Sequence, residues 1–147
     1  MKLIKVQNNE ELCKFISREN FVDFLHTHLG IYGDSKSAID KCLGFAFREN
    51  EGLGGFAVVC MDDDSTTLGA LIMNKTGMSE YIPENILVYV AVHEKLRGKG
   101  IGADIIEYAI NEAEGNVKLH VEYENPAKRL YERIGFNTKY AEMRFNK

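Results

Sequence analysis

The sequence predicts an α/β (α+β) domain, with a mixed, mostly antiparallel central sheet flanked by helices. Three observations carry that expectation. Residues 86–92, Ile-Leu-Val-Tyr-Val-Ala-Val, are apolar on both faces, as a strand covered from both sides should be. Two extended runs, 56–61 and 68–73, flank Asp62-Asp63-Asp64-Ser65-Thr66, which is turn chemistry, so they read as an antiparallel hairpin. Elsewhere, apolar residues recur at helical spacing.

In chain order, residues 3–6 predict a short opening strand. Asn8 or Asn9 can cap a helix whose first turn gains from Glu10 and Glu11. Its apolar positions are Leu12, Phe15 and Ile16, with a second phase at Phe21, Phe24 and Leu25. Gly30 and Gly33 punctuate the chain. A further helix starts at Asp34 or Ser35, buries Ile39, Leu43, Ala46 and Phe47, and stops before Gly52. The hairpin follows, then the apolar strand. Residues 102–114 give the clearest helix, with Ile101, Ile105, Ile106, Ala109, Ile110 and Ala113 in one stripe and Gly115 as its stop. Residues 117–123 read as a strand. Asn125-Pro126 opens a short helix that presents Ala127, Leu130, Tyr131 and Ile134 and ends at Gly135. Residues 138–145 close as a strand. The predicted order is β-α-α-β-β-β-α-β-α-β, with one parallel crossover over residues 86–123.

A chain of 147 residues suits one domain spanning 1–147, and it can bury roughly two-thirds of its unfolded surface. No repeat, linker or low-complexity tract divides it. The formal net charge of -4 argues against a nucleic-acid partner, whose phosphates demand clustered Lys and Arg. No apolar run is long enough to span a bilayer, and the N-terminus lacks the pattern of a secretory signal, so no membrane partner is expected. Cys13, Cys42 and Cys60 are odd in number and without a CxxC pair. They read as buried thiols in a reducing cytoplasm, with no metal site. The His26-x-His28 pair does not share a helix face, and the aspartate run at 62–64 lacks calcium-loop spacing.

The chemical signal lies at Arg97-Gly98-Lys99-Gly100-Ile101-Gly102, between the apolar strand and the clearest helix. Alternating glycines bare the backbone just where a helix begins. Its free N–H groups and dipole favour a phosphate or diphosphate, and Arg97 and Lys99 add full charges. A Walker A loop is excluded, because Gly98-Lys99-Gly100 lacks the metal-binding hydroxyl. Gly98, Gly100 and Ala103 formally satisfy the dinucleotide pattern G-x-G-x-x-A, with Glu122 about twenty residues on. Against that reading, five residues separate the strand from the first glycine, and too little chain follows for a second nucleotide-binding half.

The stretch resembles the GCN5-related N-acetyltransferase (GNAT) superfamily, whose signature is Arg/Gln-x-x-Gly-x-Gly/Ala after a central strand. Arg97, Gly100 and Gly102 match it. The approach from Val92 to Gly98 is similar to Val-x-Pro-x-x-Arg-Gly, with Glu94 replacing the proline. The run from Asn125 to Phe136 resembles a second family block, Asn-x-x-Ala-x-x-Leu-Tyr-x-x-x-Gly-Phe, one residue shorter between Asn125 and Ala127.

The resemblance implies binding of acetyl-CoA as co-substrate and acetyl transfer to a small-molecule or peptide amine, in a fold that is often a homodimer. It implies a diphosphate on the amides of Gly98, Lys99, Gly100, Ile101 and Gly102, with Arg97 beside them. Pantetheine would pair with the backbone of Val90 and Val92, and the Val92 N–H would serve a tetrahedral oxyanion. It further implies Asn125 as a coenzyme contact and Tyr131 as the acid that protonates the leaving thiolate. Lys128, with Arg129 and Arg133, could reach the 3′-phosphate. For the base, His120 and Glu122 share one face of the expected strand, and His93 and Glu84 flank the apolar one. Two alternatives stay open: a non-catalytic coenzyme A-binding regulatory module and a dinucleotide-dependent oxidoreductase.

Overall fold

The structure is a computed structural model covering residues 1–147. Five strands form one sheet in chain order: β1 (Lys2–Val6), β2 (Gly55–Met61), β3 (Thr67–Lys75), β4 (Asn85–Val92) and β5 (Val117–Leu119). The first four pair antiparallel, and only β4 and β5 run parallel. The mixed, mostly antiparallel class read from the sequence is the class observed.

Strand alternation sorts the side chains into two apolar layers. On one face, Ala57, Val59, Met61, Ala70, Ile72 and Ala91 pack beneath α1 (Asn9–Cys13), α2 (Arg18–Leu29) and α3 (Lys36–Ala46). On the other, Val58, Leu71, Met73 and Leu87 meet α4 (Ile101–Glu112) and α5 (Ala127–Ile134). The α4 stripe buries Ile105, Ile106 and Ala109 completely. Ile105 and Ile106 each contribute about 1.5–3 kcal/mol by leaving water.

Local chemistry sets the helix starts. Asn8, Ser17 and Ser35 each accept a backbone N–H three residues on, from Glu11, Asn20 and Ala38 at 2.8, 3.1 and 3.1 Å. Asp62 Oδ1 accepts the N–H groups of Asp64 and Thr66, both at 2.9 Å, and so builds the expected hairpin turn.

Three expectations need correction. The first helix is two, because Ser17 offers a fresh N-cap and the chain breaks after Cys13 to restart at Arg18. Cys13, at that break, is exposed, whereas Cys60 is buried. The closing strand over 138–145 does not form: residues 137–147 lie outside any element, with Tyr140, Met143 and Phe145 exposed. An outer edge as short as β5 offers few backbone partners to hold an eight-residue alternation in place. The observed order is β-α-α-α-β-β-β-α-β-α.

No helix is long and apolar enough to cross a membrane. No three His, Cys, Asp or Glu side chains gather in a metal-ligating arrangement.

Candidate active site

Two features of β4 leave part of its backbone edge unpaired. The first is a bulge. Ile72 pairs with Tyr89 but Met73 with Leu87, so Val88 is the extra residue. The second is the early end of β5, whose pairing stops at Leu87↔Leu119 while β4 runs on to Val92. His93 N–H donates to the Leu68 carbonyl at 2.9 Å, so His93 faces β3. By alternation Ala91 and Tyr89 also face β3, and the N–H and C=O of Val90 and Val92 face the side that β5 has left. The bulge makes this parity, because without it Leu87 and Val90 could not both point toward β5.

Beyond β4, a 3₁₀ turn (Glu94–Leu96) leads to Arg97 and the glycines. Gly98 and Gly100 have φ of +79° and +85°, and a side chain there would be strained although nothing crowds either position. Gly100 caps α4 without any side-chain bond. After Leu96 the next backbone N–H to donate within the protein is that of Asp104, to the Gly100 carbonyl at 3.1 Å. Every N–H from Arg97 to Ala103 is therefore available at the positive end of α4. Gly102 is a glycine for another reason: a Cβ there would stand 3.2 Å from Leu130 Cδ2 and 3.6 Å from Val92 Cγ2. The loop, the end of β4 and α5 meet at that point.

The cations behave differently from one another. Lys99 is exposed and joins no ion pair. Arg97 turns its guanidinium back, and Nη2 donates to the main-chain carbonyl of His28 at the end of α2. Lys128 is bonded to Glu132 at 2.9 Å along α5. Asn125 spends Oδ1 on the Ala127 N–H at 2.9 Å and so starts α5.

Tyr131 is 8% exposed and lies in the apolar layer that also holds Val90, Val92, Leu119 and Val121. Its ring meets Phe136 edge-on at 5.9 Å between centroids. Burial pushes its phenol up to about 12. Of the base candidates, His120 and Glu122 lie past the end of β5 and are exposed, so the strand alternation that was to align them does not reach them. Burial, then Lys118, lowers the His120 pKa below the ordinary histidine value. Glu84 accepts the Asn116 N–H at 3.3 Å and closes the start of the β4–β5 pair. His93 Nδ1 accepts the Lys95 N–H at 3.2 Å.

The structure brings together a second set of residues that sequence reading did not connect. His28 is buried against Phe24 and His93, with ring centroids 4.5 and 4.4 Å away. Tyr89 reaches Asp34, and Tyr32 reaches the Glu124 carbonyl at 3.4 Å, so the 30–34 segment spans from β4 to the chain beyond β5. The one available signal was the Phe24–His28 spacing, which puts both rings on one helix face.

A family model described as the acetyltransferase (GNAT) domain matches residues 42–138. That is well over half of the chain, which therefore belongs to the GNAT acetyltransferase family. Solved structures agree on the fold. An aminoglycoside N-acetyltransferase, AAC(6')-Iy, in complex with CoA has a TM-score of 0.69 at 13% identity, with 99% of this chain and 93% of that chain covered. Aminoglycoside antibiotic 6'-N-acetyltransferase AAC(6')-IG from Acinetobacter haemolyticus gives 0.68 at 12%, covering 100% and 98%. Ribosomal-protein-alanine N-acetyltransferase from Brucella melitensis biovar Abortus 2308 gives 0.66 at 15%, covering 99% of each chain. A search of curated protein sequences finds no match.

Proposed function

We propose that this protein transfers the acetyl group of acetyl-coenzyme A to a primary amine of a small molecule or peptide, by direct attack. The observation that carries the reading is the row of free N–H groups from Arg97 to Ala103, which meets the free backbone edge of Val92 and Val90 where Gly102 packs against Val92. A diphosphate suits the first and an amide-bearing arm suits the second. Neither a dinucleotide nor a lone phosphate would use both. Lys99 is free to serve this site, as are Arg129 and Arg133 on α5. Asn125 and Lys128, being engaged within the chain, would contribute their remaining donors.

In this reading Val92 lies next to the diphosphate and Val90 one pleat deeper. The thioester would lie past Val92, so the Val90 N–H, rather than that of Val92, is the oxyanion donor. The amine nitrogen bonds to the carbonyl carbon, the C–S bond breaks, and the ammonium proton passes to water. A phenol held near 12 is a poor proton source for a thiolate near ~8.5. Tyr131 therefore donates a hydrogen bond to the departing sulfur, and solvent supplies the proton. The exposed positions of His120 and Glu122 suit them to relaying protons through water better than to touching the amine. The free thiols suit a reducing compartment, and we place the protein in the cytoplasm.

The test is thiol release on incubating the protein with acetyl-CoA and a panel of amines, alongside calorimetry with coenzyme A. Binding with release for at least one amine is expected. Tight binding without release for any amine would make the chain a coenzyme-responsive module instead. No binding at all would overturn the whole assignment.

A further inference from the structure

We infer that His28, on α2, is a positioning residue for the anion-binding loop, because its ring and its main-chain carbonyl grip the loop's approach at two points. The inference rests on the coenzyme reading of that loop. Between β4 and the glycines the chain's own bonds are both local to the 3₁₀ turn, from Leu96 N–H to the His93 carbonyl and from Lys95 N–H to His93 Nδ1. Both hydrogen bonds that tie residues 94–97 to another element go to His28. Its Nδ1 accepts the N–H of Glu94 at 3.2 Å, and its carbonyl accepts from Arg97 Nη2. The ring lies 4.4 Å from that of His93 and 4.5 Å from that of Phe24, which fixes its plane.

The chemistry at Nδ1 is specific. To accept the Glu94 N–H the imidazole must be neutral, with its proton on Nε2. Burial lowers the His28 pKa, with the neighbouring His93 and Arg97 adding to the effect and Glu94 opposing it. The acceptor lone pair is thus kept at neutral pH. Arg97 changes role accordingly. It fastens the last residue before Gly98 to the C-terminal end of α2, where a cation also suits the helix dipole, and it shapes the diphosphate site from behind.

The experiment compares His28→Asn with His28→Gln. In Asn, Oδ1 stands near the place of Nδ1 and can accept the Glu94 N–H, whereas in Gln the polar group stands near the place of Nε2 and cannot. Coenzyme A affinity is measured by calorimetry well below each variant's unfolding midpoint, which is recorded in parallel. H28Q is expected to bind coenzyme A about five- to ten-fold more weakly, and H28N within about two-fold of the parent. Equal affinity in H28Q and the parent would overturn the inference, as would equal weakening in both variants. A parent that ignores coenzyme A would instead remove the reading beneath it.

Discussion

The hydroxyl of Tyr89 donates to Oδ2 of Asp34 at 2.5 Å, joining the middle of β4 to the segment just before α3. Tyr89 and Val90 are neighbours whose backbones face opposite strands, so this bond steadies the strand at the bulge from the face away from α4. Burial first, and the bond to Asp34 second, raise the Tyr89 pKa above the ordinary phenol value. For a group raised on folding, the stabilisation is complete below the unfolded value near ~10 and is lost as pH rises beyond it. Tyr89→Phe should therefore cost about 1 kcal/mol at neutral pH and flatten the alkaline loss of stability. Urea unfolding at pH 7 and above pH 10 would show this, and an unchanged alkaline slope in the variant would contradict it.

Gly100→Ala isolates the backbone contribution to the loop. No atom lies within 4 Å of a Cβ there, so the whole cost is the left-handed φ of +85°. About 1–2 kcal/mol of stability should be lost, or the peptide should turn and withdraw its amides. Coenzyme affinity should fall further than for Gly102→Ala, whose φ is ordinary and whose added methyl only presses on Leu130. Calorimetry on the two variants decides the order.

Tyr131→Phe removes a hydroxyl and leaves the packing against Phe136 intact. Turnover should fall on the order of 10²-fold, with coenzyme affinity and unfolding midpoint nearly unchanged. Because the phenol stays protonated up to about 12, the variant should keep the alkaline limb of the parent's rate profile. A limb that disappears would restore the tyrosine as a proton donor.

Gly69 in β3 faces α4 so closely that a Cβ would stand 2.3 Å from Ile105 Cδ1. Gly69→Ala should cost about 1–3 kcal/mol through overpacking. Ile105→Val removes that methyl at a cost of about 0.5–1.5 kcal/mol in the parent. Combined, the two should lose less than the sum of their separate effects. A double-mutant cycle in urea measures the difference, and strict additivity would mean that the helix moves away instead.

The features legible in the sequence are local ones. The free amides of residues 97–103 follow from glycine spacing ahead of a helix, and the two-faced burial of β2, β3 and β4 follows from unbroken apolar runs. Features that depend on distant partners were not legible. The tail carries alternating Ala141, Met143 and Phe145, yet Met143 and Phe145 remain exposed, because a strand needs an edge to pair with. His120 and Glu122 were placed by an alternation that stops at Leu119. His28 meets Glu94 across 66 residues of sequence, a distance that no periodicity reports. For Arg97 the sequence offers a charge and a signature position, and neither reports that its partner is a carbonyl on α2.

The ladder between β4 and β5 is three pairs long, Asn85↔Val117, Ile86↔Lys118 and Leu87↔Leu119, with Glu84 and Asn85 fastening its start to residues 114–116. It is the shortest seam in the sheet, and the chain from Val117 onward is held by it, by the packing of Val121 and α5, and by the Tyr32 bond to the Glu124 carbonyl. Local opening along this line should need less free energy than global unfolding, so amides beyond the seam should exchange first. A molecule lying along Val90 and Val92 with its head at Gly100 would bridge the two sides. Its binding would act as a stitch, and its release would loosen the C-terminal fifth of the chain.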